Sequence, residues 1–400
     1  MKIALISSWL PRQCGIAVYS NDLAKALKKI GVNLDIFCHT DGGRTNESHI
    51  HPVIDMRRTD WQDVLYHAVE LVGPDVIHIQ HEYGLYTLKK DLFFDFAPAN
   101  SFKLADALFR WQTSRRPTVV TYHSVYSKMT FEEVMYYKYF SSLATANIVH
   151  ENYQKEALTN YLQSYQSNNI FSVPHGTWSD PNINKEKTKL ANGWEDKLVV
   201  GMFGFLEHTK GFARIIKLWP KVVAQVPNAL LVIEGNVRPG SPTGSSSLAE
   251  IANAIENCPA KKNISFVRKY FEWEENNNFI SGFDLLVLPY LFASQSGNLA
   301  HGYSVGLPVI ASDLEGIASS LKNSRAGFLA KTDNDFLDRI IFLLKNPKKR
   351  TDFAKNSLSY GKKTDWVVTA KKHLEIYDWA ILQQKLSLKS KKYIDKRVHV

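Results

Sequence analysis

Cysteine is scarce in this sequence. Only three occur in 400 residues, Cys14, Cys38 and Cys258, and they are scattered and odd in number. This pattern argues against a disulfide framework and against a metal site built from thiolates, and it is typical of a reducing compartment.

The sequence also has no long apolar run. A transmembrane helix needs about 20 apolar residues, whereas the longest candidate, LLVLPYLFA, covers only residues 285–293. The N-terminal run MKIALISSWLP ends at Pro11 without a small-residue cleavage pattern, so it predicts a strand rather than a signal peptide. We therefore expect a cytoplasmic protein.

Acidic residues are outnumbered, with 39 Asp and Glu against 49 Lys and Arg and a net charge of +10. A basic protein attracts an anionic partner, which could be nucleotide phosphate, an acidic lipid surface or nucleic acid. The basic residues are scattered over both halves and no recognised nucleic-acid motif accompanies them. We therefore expect no nucleic-acid partner.

One pattern of elements occurs twice along the chain. Near the N-terminus, strand-like KIALISS, loop WLPRQCG, helical IAVYSNDLAKALKKIG and strand-like NLDIFCH follow one another. From residue 198 the same order recurs as LVVGMFGF, LEHTKG, FARIIKLWPKVVAQ and ALLVIEG. Continuous apolar strands separated by amphipathic helices are typical of parallel sheets buried on both faces. We predict an α/β fold with two Rossmann-like, doubly wound domains.

The same pattern of apolar runs predicts the remaining strands and the limits of the two domains. The predicted strands are residues 75–84, 117–124, 147–151, 263–267, 284–290 and 308–312. The polar stretch 179–196 has the composition of an interdomain linker. We predict an N-terminal domain over residues 1–190, a C-terminal domain over 191–365, and a last helix with a basic tail over 366–400.

The stretch SQSGNLAHGYSVGLPVIAS contains a candidate ligand site. In open parallel sheets, ligands bind beyond the carboxyl ends of strands, where loops meet helix N-termini. Ser296 is expected to cap such a helix. The following amides would then lack partners within the helix and would point at an anion; they belong to Gly297, Asn298 and Leu299. His301 lies one turn into the helix, and an ordinary capped helix with His301 in the core explains this loop equally well.

Lys210 adds a basic group at the same edge of the same domain. It stands before Gly211, where the helix after strand 198–205 opens. A lysine beside free amides can neutralise a diphosphate leaving group without a metal. The two elements together favour a phosphate site over the capped helix alone.

Two patterns that suggest metal binding have simpler interpretations. Asp333 and Asp335 precede helical residues, so we predict that they form a helix cap and first turn. His78, His81 and His123 could suggest zinc, but no fourth ligand has a recognisable spacing. We expect no metal and no cofactor.

These motifs, in this order, resemble glycosyltransferase family 4, a family of retaining enzymes with the GT-B fold. The segments that carry the resemblance are PRQCGIAVYSNDLAKAL, TYHS, VPHG, FGFLEHTKG, DLLVLPY and GLPVIASDLEGI. GFLAKTDNDFLDRIIFLLKNPKKR and DWVVTAKKHLEIYDWA resemble the family's closing pattern, which implies a last helix that returns to the first domain. The resemblance covers nearly the whole chain. It implies two Rossmann-like domains facing across a cleft, with a nucleotide-diphosphate sugar on the second domain and the acceptor on the first.

The resemblance assigns the donor site to residues of both domains. Lys210 matches the diphosphate-binding lysine, and Gly15 matches the loop that closes over the donor. Gly297 to Leu299 match the helix amides beneath the diphosphate. The implied donor-binding set also includes Gly204, Ser294, Gln295, Ser296, Asn298 and His301.

The resemblance assigns three residues to the acceptor side. His123 matches the first-domain histidine that faces the transferred sugar, so His123 and Lys210 are the implied catalytic residues. Glu82 and Tyr83 lie in QHEYG, which is similar to a QHE string in a related branch, and are expected to line the acceptor site.

The donor loop departs from the family at two positions. The family commonly has two glutamates with seven residues between them, one for the sugar hydroxyls and one for the ribose. These positions hold Ala293 and His301. A neutral histidine can hydrogen-bond a ribose hydroxyl, whereas alanine cannot hold a sugar. A branch with a Ser-Gly loop also lacks the first glutamate, which makes Ser294, Gln295 and Ser296 candidates for sugar recognition.

The resemblance implies net retention, with the leaving phosphate accepting the proton of the acceptor hydroxyl. The protein then positions two substrates and stabilises developing charge. We predict a metal-independent, hexosyltransferase-like enzyme that transfers a sugar from a UDP- or GDP-sugar to a hydroxyl. The expected acceptor is a saccharide or a lipid-linked saccharide in cell-surface polysaccharide or glycolipid synthesis.

The first half also carries aromatic and basic residues that could serve a lipid-linked acceptor. The segment 129–143 could present Tyr136, Tyr137, Tyr139 and Phe140, although periodicity favours burial of about half of them. Three basic pairs lie in the same half: Arg57 with Arg58, Lys89 with Lys90, and Arg115 with Arg116. Aromatic and basic residues together would suit a peripheral enzyme at an anionic inner membrane face.

Three alternatives stay open at this point. Ala293 and His301 would also suit a nucleotide-sugar-binding homologue without transfer activity. A GT-B epimerase would need acidic residues near the sugar, which the SQSG loop lacks. Nucleic-acid binding depends on charge alone.

Overall fold

A computed structural model describes residues 1–43, 47–86, 99–162, 167–178, 183–269, 271 and 273–398. The chain forms two compact units. The first contains Met1–Pro174 and Trp366–Val400, and the second contains His175–Asp365. Within the described part of the chain, no helix combines the length and the apolar character needed to cross a membrane.

The first unit is built on a parallel sheet. Its strands are β1 (Lys2–Ser7), β2 (Asn33–His39), β3 (Ile50–Ile54), β4 (Val76–His81), β5 (Thr118–Tyr122), β6 (Ala146–Val149) and β7 (Ile170–Ser172). They lie in the order β3-β2-β1-β4-β5-β6-β7. Its helices are α1 (Gly15–Lys29), α2 (Trp61–Val72), α3 (Ala99–Thr113), α4 (Phe131–Leu143), α5 (Asn152–Leu162) and, from the end of the chain, α14 (Trp366–Val398).

The second unit repeats this plan. Its strands are β8 (Leu198–Phe203), β9 (Ala229–Glu234), β10 (Ile264–Val267), β11 (Leu285–Leu288), β12 (Val309–Ser312) and β13 (Gly327–Ala330). They lie in the order β10-β9-β8-β11-β12-β13. Its helices are α6 (Lys185–Asn192), α7 (Phe212–Gln225), α8 (Gly244–Glu256), α9 (Trp273–Ser281), α10 (Gly297–Ser304), α11 (Glu315–Ser324), α12 (Asp333–Lys345) and α13 (Pro347–Lys363).

Helices cover both faces of the second sheet, which explains its continuous apolar strands. On β9, Leu231 and Ile233 pack in a core with Trp219 of α7 and Phe336 of α12. Val232 points to the opposite core, which contains Phe279 of α9. Because both faces are buried, successive residues of a strand must all be apolar.

The strand order reverses once in each sheet. In the first unit the reversal lies between β1 and β4, and in the second it lies between β8 and β11. Ligands of doubly wound folds bind beyond the carboxyl ends of the strands at such a point. The predicted fold class is confirmed, and the topology gives each unit one such crevice.

Three strands of the structure, β3, β7 and β13, were not predicted from the sequence. Each is an edge strand with a neighbour on one side only. β3 contains Pro52, which edge positions tolerate, and β7 is only three residues long. These three strands therefore lacked the long apolar run by which the central strands were found, whereas the remaining edge strand, β10, was predicted.

The stretch predicted as a linker belongs in part to the second unit. Its residues 185–192 form α6, whose Lys189 donates to Asp284 Oδ2 over 2.6 Å. Lys185 reaches the other oxygen of the same carboxylate, also at 2.6 Å. The contacts thus place the boundary between the units at residue 175 rather than at 191.

The last helix, α14, packs on α1 within the first unit. Trp366 is fully buried, with its ring 5.0 Å from that of Tyr19. Farther along, the Tyr377 hydroxyl lies 2.7 Å from His78 Nδ1 of β4. A core aromatic and a buried polar contact therefore both hold the helix.

Candidate functional site

Two loops of the second unit meet at the reversal between β8 and β11. The loop after β8 carries Gly204 and Lys210, and the loop after β11 leads into α10. The amide of Leu291 donates to the carbonyl oxygen of Thr209 over 2.8 Å, so a backbone hydrogen bond joins the two loops. The residues predicted to bind phosphate in this unit are thus brought to one place.

Gly211 fixes the end of the loop between β8 and α7, residues 204–211, which carries Lys210 and is called the lysine loop below. Its φ is +68°, a left-handed conformation that favours glycine. A Cβ here would lie 2.1 Å from the carbonyl oxygen of Pro289. Only glycine lets the two loops approach this closely, which explains why Lys210 is followed by glycine.

Lys210 lies over an aromatic ring that was not predicted to belong to the site. Its Nζ is 3.9 Å from the centroid of the Tyr290 ring, and Tyr290 is buried. The Tyr290 hydroxyl is 3.4 Å from Ser296 Oγ. A cation–π contact of this kind contributes about 0.5–2 kcal/mol and leaves the ammonium donors available to an anion. Tyr290 therefore connects the lysine to the start of α10.

The start of α10 corrects the expectation of three free amides. Ser296 is the N-cap, as predicted, and its hydroxyl accepts a hydrogen bond from the Leu299 amide at 3.3 Å. The cap thus uses the amide of Leu299. Gly297 and Asn298 keep amides without a partner among the described residues. These two amides and the helix dipole can act on an anion.

The side chain of Asn298 ties α10 to the end of β8. Its Nδ2 donates to the carbonyl oxygen of Phe203 over 2.5 Å. Gly204 has a φ of +116°, and a Cβ there would lie 2.5 Å from the same Nδ2. Gly204 is therefore needed for this approach.

His301 lies beside the core and in contact with α9. It is half-buried, its ring meets Phe203 edge-on, and its Nδ1 lies 2.8 Å from Asn277 Oδ1. Burial, with a smaller effect of His175, lowers the pKa of His301 to about 3. Because the side-chain oxygen of Asn277 can only accept a hydrogen bond, the proton of the neutral His301 ring lies on Nδ1.

The loop before α10 contains the candidates for sugar recognition. Ser294 is buried, and its carbonyl oxygen would lie 1.8 Å from a Cβ at Gly316 of α11. Gln295 has a buried Oε1 to which no described residue donates a hydrogen bond. Gln295 therefore holds an unused acceptor beside Ser296.

Replacing Gly297 by alanine is expected to separate binding from stability. A Cβ at Gly297 would meet only His175 Nε2, at 3.6 Å, which is ordinary contact. The variant should fold with stability unchanged or up to about 1 kcal/mol higher. Its methyl group would enter the space in front of the free amides, so nucleotide affinity should fall about tenfold, or about 1.4 kcal/mol. Calorimetric titration with UDP and thermal unfolding measure the two effects.

Gly302 in the same helix is the matched control. A Cβ there would lie 2.6 Å from Leu286 Cδ2 in the core. Gly302→Ala should therefore lower stability. Unchanged UDP affinity in a well-folded Gly297→Ala protein would contradict the anion site.

In the first unit, the predicted residues follow strands that meet at one edge. Gly15 begins α1 after β1, and no atom of the described residues would lie within 4 Å of a Cβ added there. Glu82 and Tyr83 follow β4, and His123 follows β5. The Glu82 carboxylate accepts a hydrogen bond from the Gly84 amide at 2.9 Å and so caps a short 3-10 turn. Tyr83 packs against the rings of Tyr136 and Tyr137.

His123 is buried within a chain of hydrogen-bonded side chains. Its Nε2 lies 2.8 Å from Gln80 Oε1, and its Nδ1 lies 3.2 Å from His150 Nε2. His150 Nδ1 lies in turn 3.1 Å from the carbonyl oxygen of Val173. Both ring nitrogens of His123 are therefore already in contact with protein groups. The roles of Gln80 and His150 were not predicted, because only the pairing of β4, β5 and β6 in the folded sheet brings these residues to His123.

The other histidines considered for metal binding are also hydrogen-bonded. His78 Nε2 lies 2.8 Å from Thr121 Oγ1, and His81 Nε2 lies 2.6 Å from the Tyr136 hydroxyl. Burial lowers the pKa of His81 to about 3. In the ranges that the structure covers, no three His, Cys, Asp or Glu side chains gather as a metal site would require.

The acidic pair of the second unit has the predicted capping role. Asp335 and Thr332 form a reciprocal capping box at the start of α12. Asp333 lies in the first turn and forms an ion pair with Arg214. The prediction of a helix cap and first turn is confirmed.

The aromatic residues of α4 are mostly internal. Tyr136, Tyr137 and Phe140 are buried, so the suggestion that they face an acceptor is wrong. Phe131, Met135 and Tyr139 are instead 74 %, 49 % and 44 % exposed. A spacing of four residues places these three on one face of the helix.

Much of the basic charge predicted for the first half is neutralised locally. Arg57 pairs with Asp55, Arg58 with Asp60, and Arg116 with Glu70. Lys89 and Lys90 lie outside the described residues, as do the side chains of the tail from residue 388 onward.

Two family models match adjoining parts of the chain. The model described as Glycosyltransferase Family 4 matches residues 14–177, and that described as Glycosyl transferases group 1 matches residues 184–359. The two matches correspond closely to the two sheets.

Among curated proteins, a Campylobacter jejuni enzyme shares 30 % identity over 100 residues. It is N,N'-diacetylbacillosaminyl-diphospho-undecaprenol alpha-1,3-N-acetylgalactosaminyltransferase. The matching region spans 24 % of this chain and 27 % of that enzyme, so the chain matches only about a quarter of the relative's length.

Solved structures match over nearly the full length. HepE from Anabaena, in complex with UDP-glucose, has a TM-score of 0.70 at 15 % identity, covering 94 % of this chain and 98 % of HepE. Sucrose-phosphate synthase from Thermosynechococcus elongatus has a TM-score of 0.71 at 16 % identity, covering 96 % of this chain and 100 % of the synthase. At such identities the likeness concerns the fold.

Proposed function

We propose that the chain is a glycosyltransferase of the GT-B fold that transfers a sugar from a UDP- or GDP-sugar to a hydroxyl acceptor with net retention, since one glycosyltransferase family model matches each of its two parts. The observation that carries the proposal is the convergence of Lys210, held over Tyr290, with the uncapped amides of Gly297 and Asn298. A cation and two amides at one crevice suit a diphosphate. HepE, which shares this fold, has been solved with UDP-glucose, and this favours a UDP-sugar.

In the proposed reaction, the bond between the sugar C1 and the phosphate oxygen breaks while C1 bonds to the acceptor oxygen on the same face. The acceptor's proton goes to the leaving phosphate. Lys210 and the two amides stabilise the charge that develops on the diphosphate. Ser294, Gln295 and Ser296 hold the sugar, and Gly15 keeps its predicted role in binding the donor. Each of these roles is a matter of position and charge, and none needs a carboxylate base.

On the acceptor side, we assign binding to Glu82, Tyr83 and His123. His123 is held by Gln80 and His150, so it would act by presenting a fixed ring to the sugar. The Campylobacter relative, by its name, acts on a sugar carried by diphospho-undecaprenol. This and the exposed apolar face of α4 favour a lipid-linked saccharide and a peripheral position at an anionic membrane. Because three of the arginines are neutralised by neighbouring carboxylates, the exposed apolar face of α4 supports membrane association better than the basic residues do.

A second candidate is a nucleotide-sugar-binding homologue without transfer activity. Ala293 and His301, which replace the family's two glutamates, favour it. It shares the donor site with the first candidate and differs only in turnover.

The test is to incubate the protein with UDP-glucose, UDP-N-acetylgalactosamine or GDP-mannose and with soluble or undecaprenyl-diphosphate-linked saccharides. We expect transfer from one of the donors, greater with the lipid-linked acceptor in anionic vesicles, and an axial anomeric bond if the donor's bond is axial. NMR spectra of the product report the anomeric configuration. Nucleotide binding without donor hydrolysis or transfer would favour the second candidate, and an inverted product would exclude retention.

A further inference from the structure

Glu234 is a buried carboxyl group at the carboxyl end of β9, with 4 % of its surface exposed. No residue that the structure describes donates a hydrogen bond to this carboxyl group, and its oxygens are not among the fully buried side-chain atoms that lack a partner. The side chain is therefore largely buried while its oxygens stay accessible at the end of the strand. A carboxyl group in this position is available to accept hydrogen bonds from a ligand.

Glu234 lies on the same sheet face as His301. In the sheet it is paired with Phe203 of β8 and Val267 of β10, and paired residues of neighbouring parallel strands point to the same side. Phe203 belongs to the core beneath α9 and α10, and Val267 packs against it. The ring of His301 meets Phe203 edge-on, with 6.1 Å between centroids. Glu234 is thus one strand beyond the residue that His301 contacts.

Helix α9 adds further polar groups to this face. Asn276 and Asn277 are 8 % and 1 % exposed. Asn276 Oδ1 and Asn277 Nδ2 have no partner within the described residues, while Asn277 Oδ1 holds His301. Polar groups with unused hydrogen-bonding capacity at the edge of an apolar core are typical of a ligand site.

We propose that Glu234 binds the nucleoside of the sugar donor, its carboxylate accepting hydrogen bonds from the ribose hydroxyls. The inference rests on the proposed function, because it takes the diphosphate to lie on Lys210 and α10. The amides of α10 follow β11, and β8 and β9 are the next strands of the sheet. Neighbouring strands are about 4.8 Å apart. A nucleoside that extends from the diphosphate across β8 therefore reaches the end of β9.

Glu234 would supply from a strand the carboxylate that the family resemblance places on the helix, where this chain has His301. Asn277 is then a positioning residue that sets the ring of His301. The donor site would keep one carboxyl group for the ribose, contributed by a different element.

Binding of this kind requires a proton to leave Glu234. Burial, together with the charge of Glu275 on α9, raises the pKa of Glu234 to about 8. Glu275 is itself paired with Lys269, the neighbours on β8 and β10 are the apolar Phe203 and Val267, and His301 on α10 is neutral. Two hydroxyl donors favour the ionised carboxylate. The pKa therefore falls on binding, and the proton passes to solvent.

The experiment is calorimetric titration of the full chain with UDP and GDP between pH 7 and pH 9, in buffers of different ionisation enthalpy. A group of pKa about 8 is about one-tenth ionised at pH 7 and nine-tenths at pH 9, so affinity should rise about tenfold across this range. The heat at pH 7 should depend on the buffer, as expected for release of nearly one proton. 2′,3′-Dideoxy-UDP should bind more weakly and show neither effect.

Glu234→Gln should bind UDP with no affinity change between pH 7 and pH 9. Its preference for UDP over the dideoxy analogue should be smaller than that of the wild type at pH 9, because a neutral amide oxygen is a weaker acceptor than a carboxylate. Glu275→Gln is the matched control, since it removes the neighbouring charge and should shift the affinity profile to lower pH without lowering its plateau. If Glu234→Gln keeps the wild-type pH profile and preference for the ribose hydroxyls, the inference is wrong although the nucleotide site stands. If neither UDP nor GDP binds the wild-type protein, the proposed function itself fails.

Discussion

Replacing Lys210 by alanine is expected to lower kcat/KM for sugar transfer by about 10²–10³-fold, the usual effect of removing one preorganised donor from a developing oxyanion. The ammonium group is held over Tyr290, and the lysine loop is fixed by Gly211 against Pro289. The charge therefore needs little reorganisation when the diphosphate begins to leave. UDP affinity should fall as well, but by less, because the negative charge grows during the reaction.

Lys217 provides the control for this variant. It is an exposed lysine on α7, the helix that follows the loop carrying Lys210. Lys217→Ala removes the same net charge from the same unit and should leave both turnover and UDP affinity within about twofold of wild type, as expected for an exposed charge. Steady-state kinetics and titration with UDP measure the two quantities. Wild-type kinetics for Lys210→Ala would remove the basis of the proposed function.

Replacing Asp284 by alanine is expected to destabilise the second unit by about 3–5 kcal/mol, the cost of removing one partner from a buried ion pair. Asp284 is 7 % exposed and accepts from Lys185, Lys189 and the amide of Val199. Its removal would leave the ammonium group of Lys189 buried, with the carbonyl oxygen of Lys197 as its one remaining partner among the described residues. Urea unfolding and hydrogen exchange of β8 and α6 measure the loss.

Two further variants test the cause of this loss. Adding Lys189→Met to Asp284→Ala removes the uncompensated charge and should restore part of the stability. Asp333→Ala breaks the more exposed pair with Arg214 and should cost less than about 1 kcal/mol. Equal losses for Asp284→Ala and Asp333→Ala would contradict the proposed importance of burial.

The carboxylate of Asp284 also makes the folding stability depend on pH, in a direction that its pKa predicts. Burial raises the pKa of Asp284, but Lys185, Lys189 and the Val199 amide outweigh burial and hold the pKa below its usual value. A depressed pKa contributes stability above the unfolded value of about 3.9, and that contribution is lost as the pH falls through the folded value. Asp284 should therefore have no effect on the slope of stability between pH 5 and pH 8.

The central parts of the fold were open to prediction because their signals are local. Apolar runs gave the central strands, and the helix after the lysine loop was predicted over the residues that α7 occupies. The edge strands β3, β7 and β13 were not predicted. Each pairs with one neighbouring strand only, and none of them has the long apolar run that marks a central strand. Helix α6 was interpreted as a linker because its sequence is polar, and the partner that orders it, Asp284, lies about 95 residues away.

The candidate site likewise contains some features that local sequence determines and others that depend on tertiary contacts. The motif around Lys210 and the cap at Ser296 were visible in sequence, because a left-handed glycine and a helix cap are set by adjacent residues. The ring of Tyr290 beneath Lys210, the contacts of His123 with Gln80 and His150, and the burial of Glu234 were not.

The sequence by itself determined the two α/β domains, the order of the loops and the residue types that face a phosphate, since each depends on neighbours a few positions apart. The tertiary structure alone decided that the Leu299 amide is used by its cap, that Tyr136 and Tyr137 are internal, and that a carboxyl group on β9 lies one strand from the residue His301 contacts. These facts depend on which strands become neighbours and which faces helices cover, and such contacts join residues that are far apart along the chain.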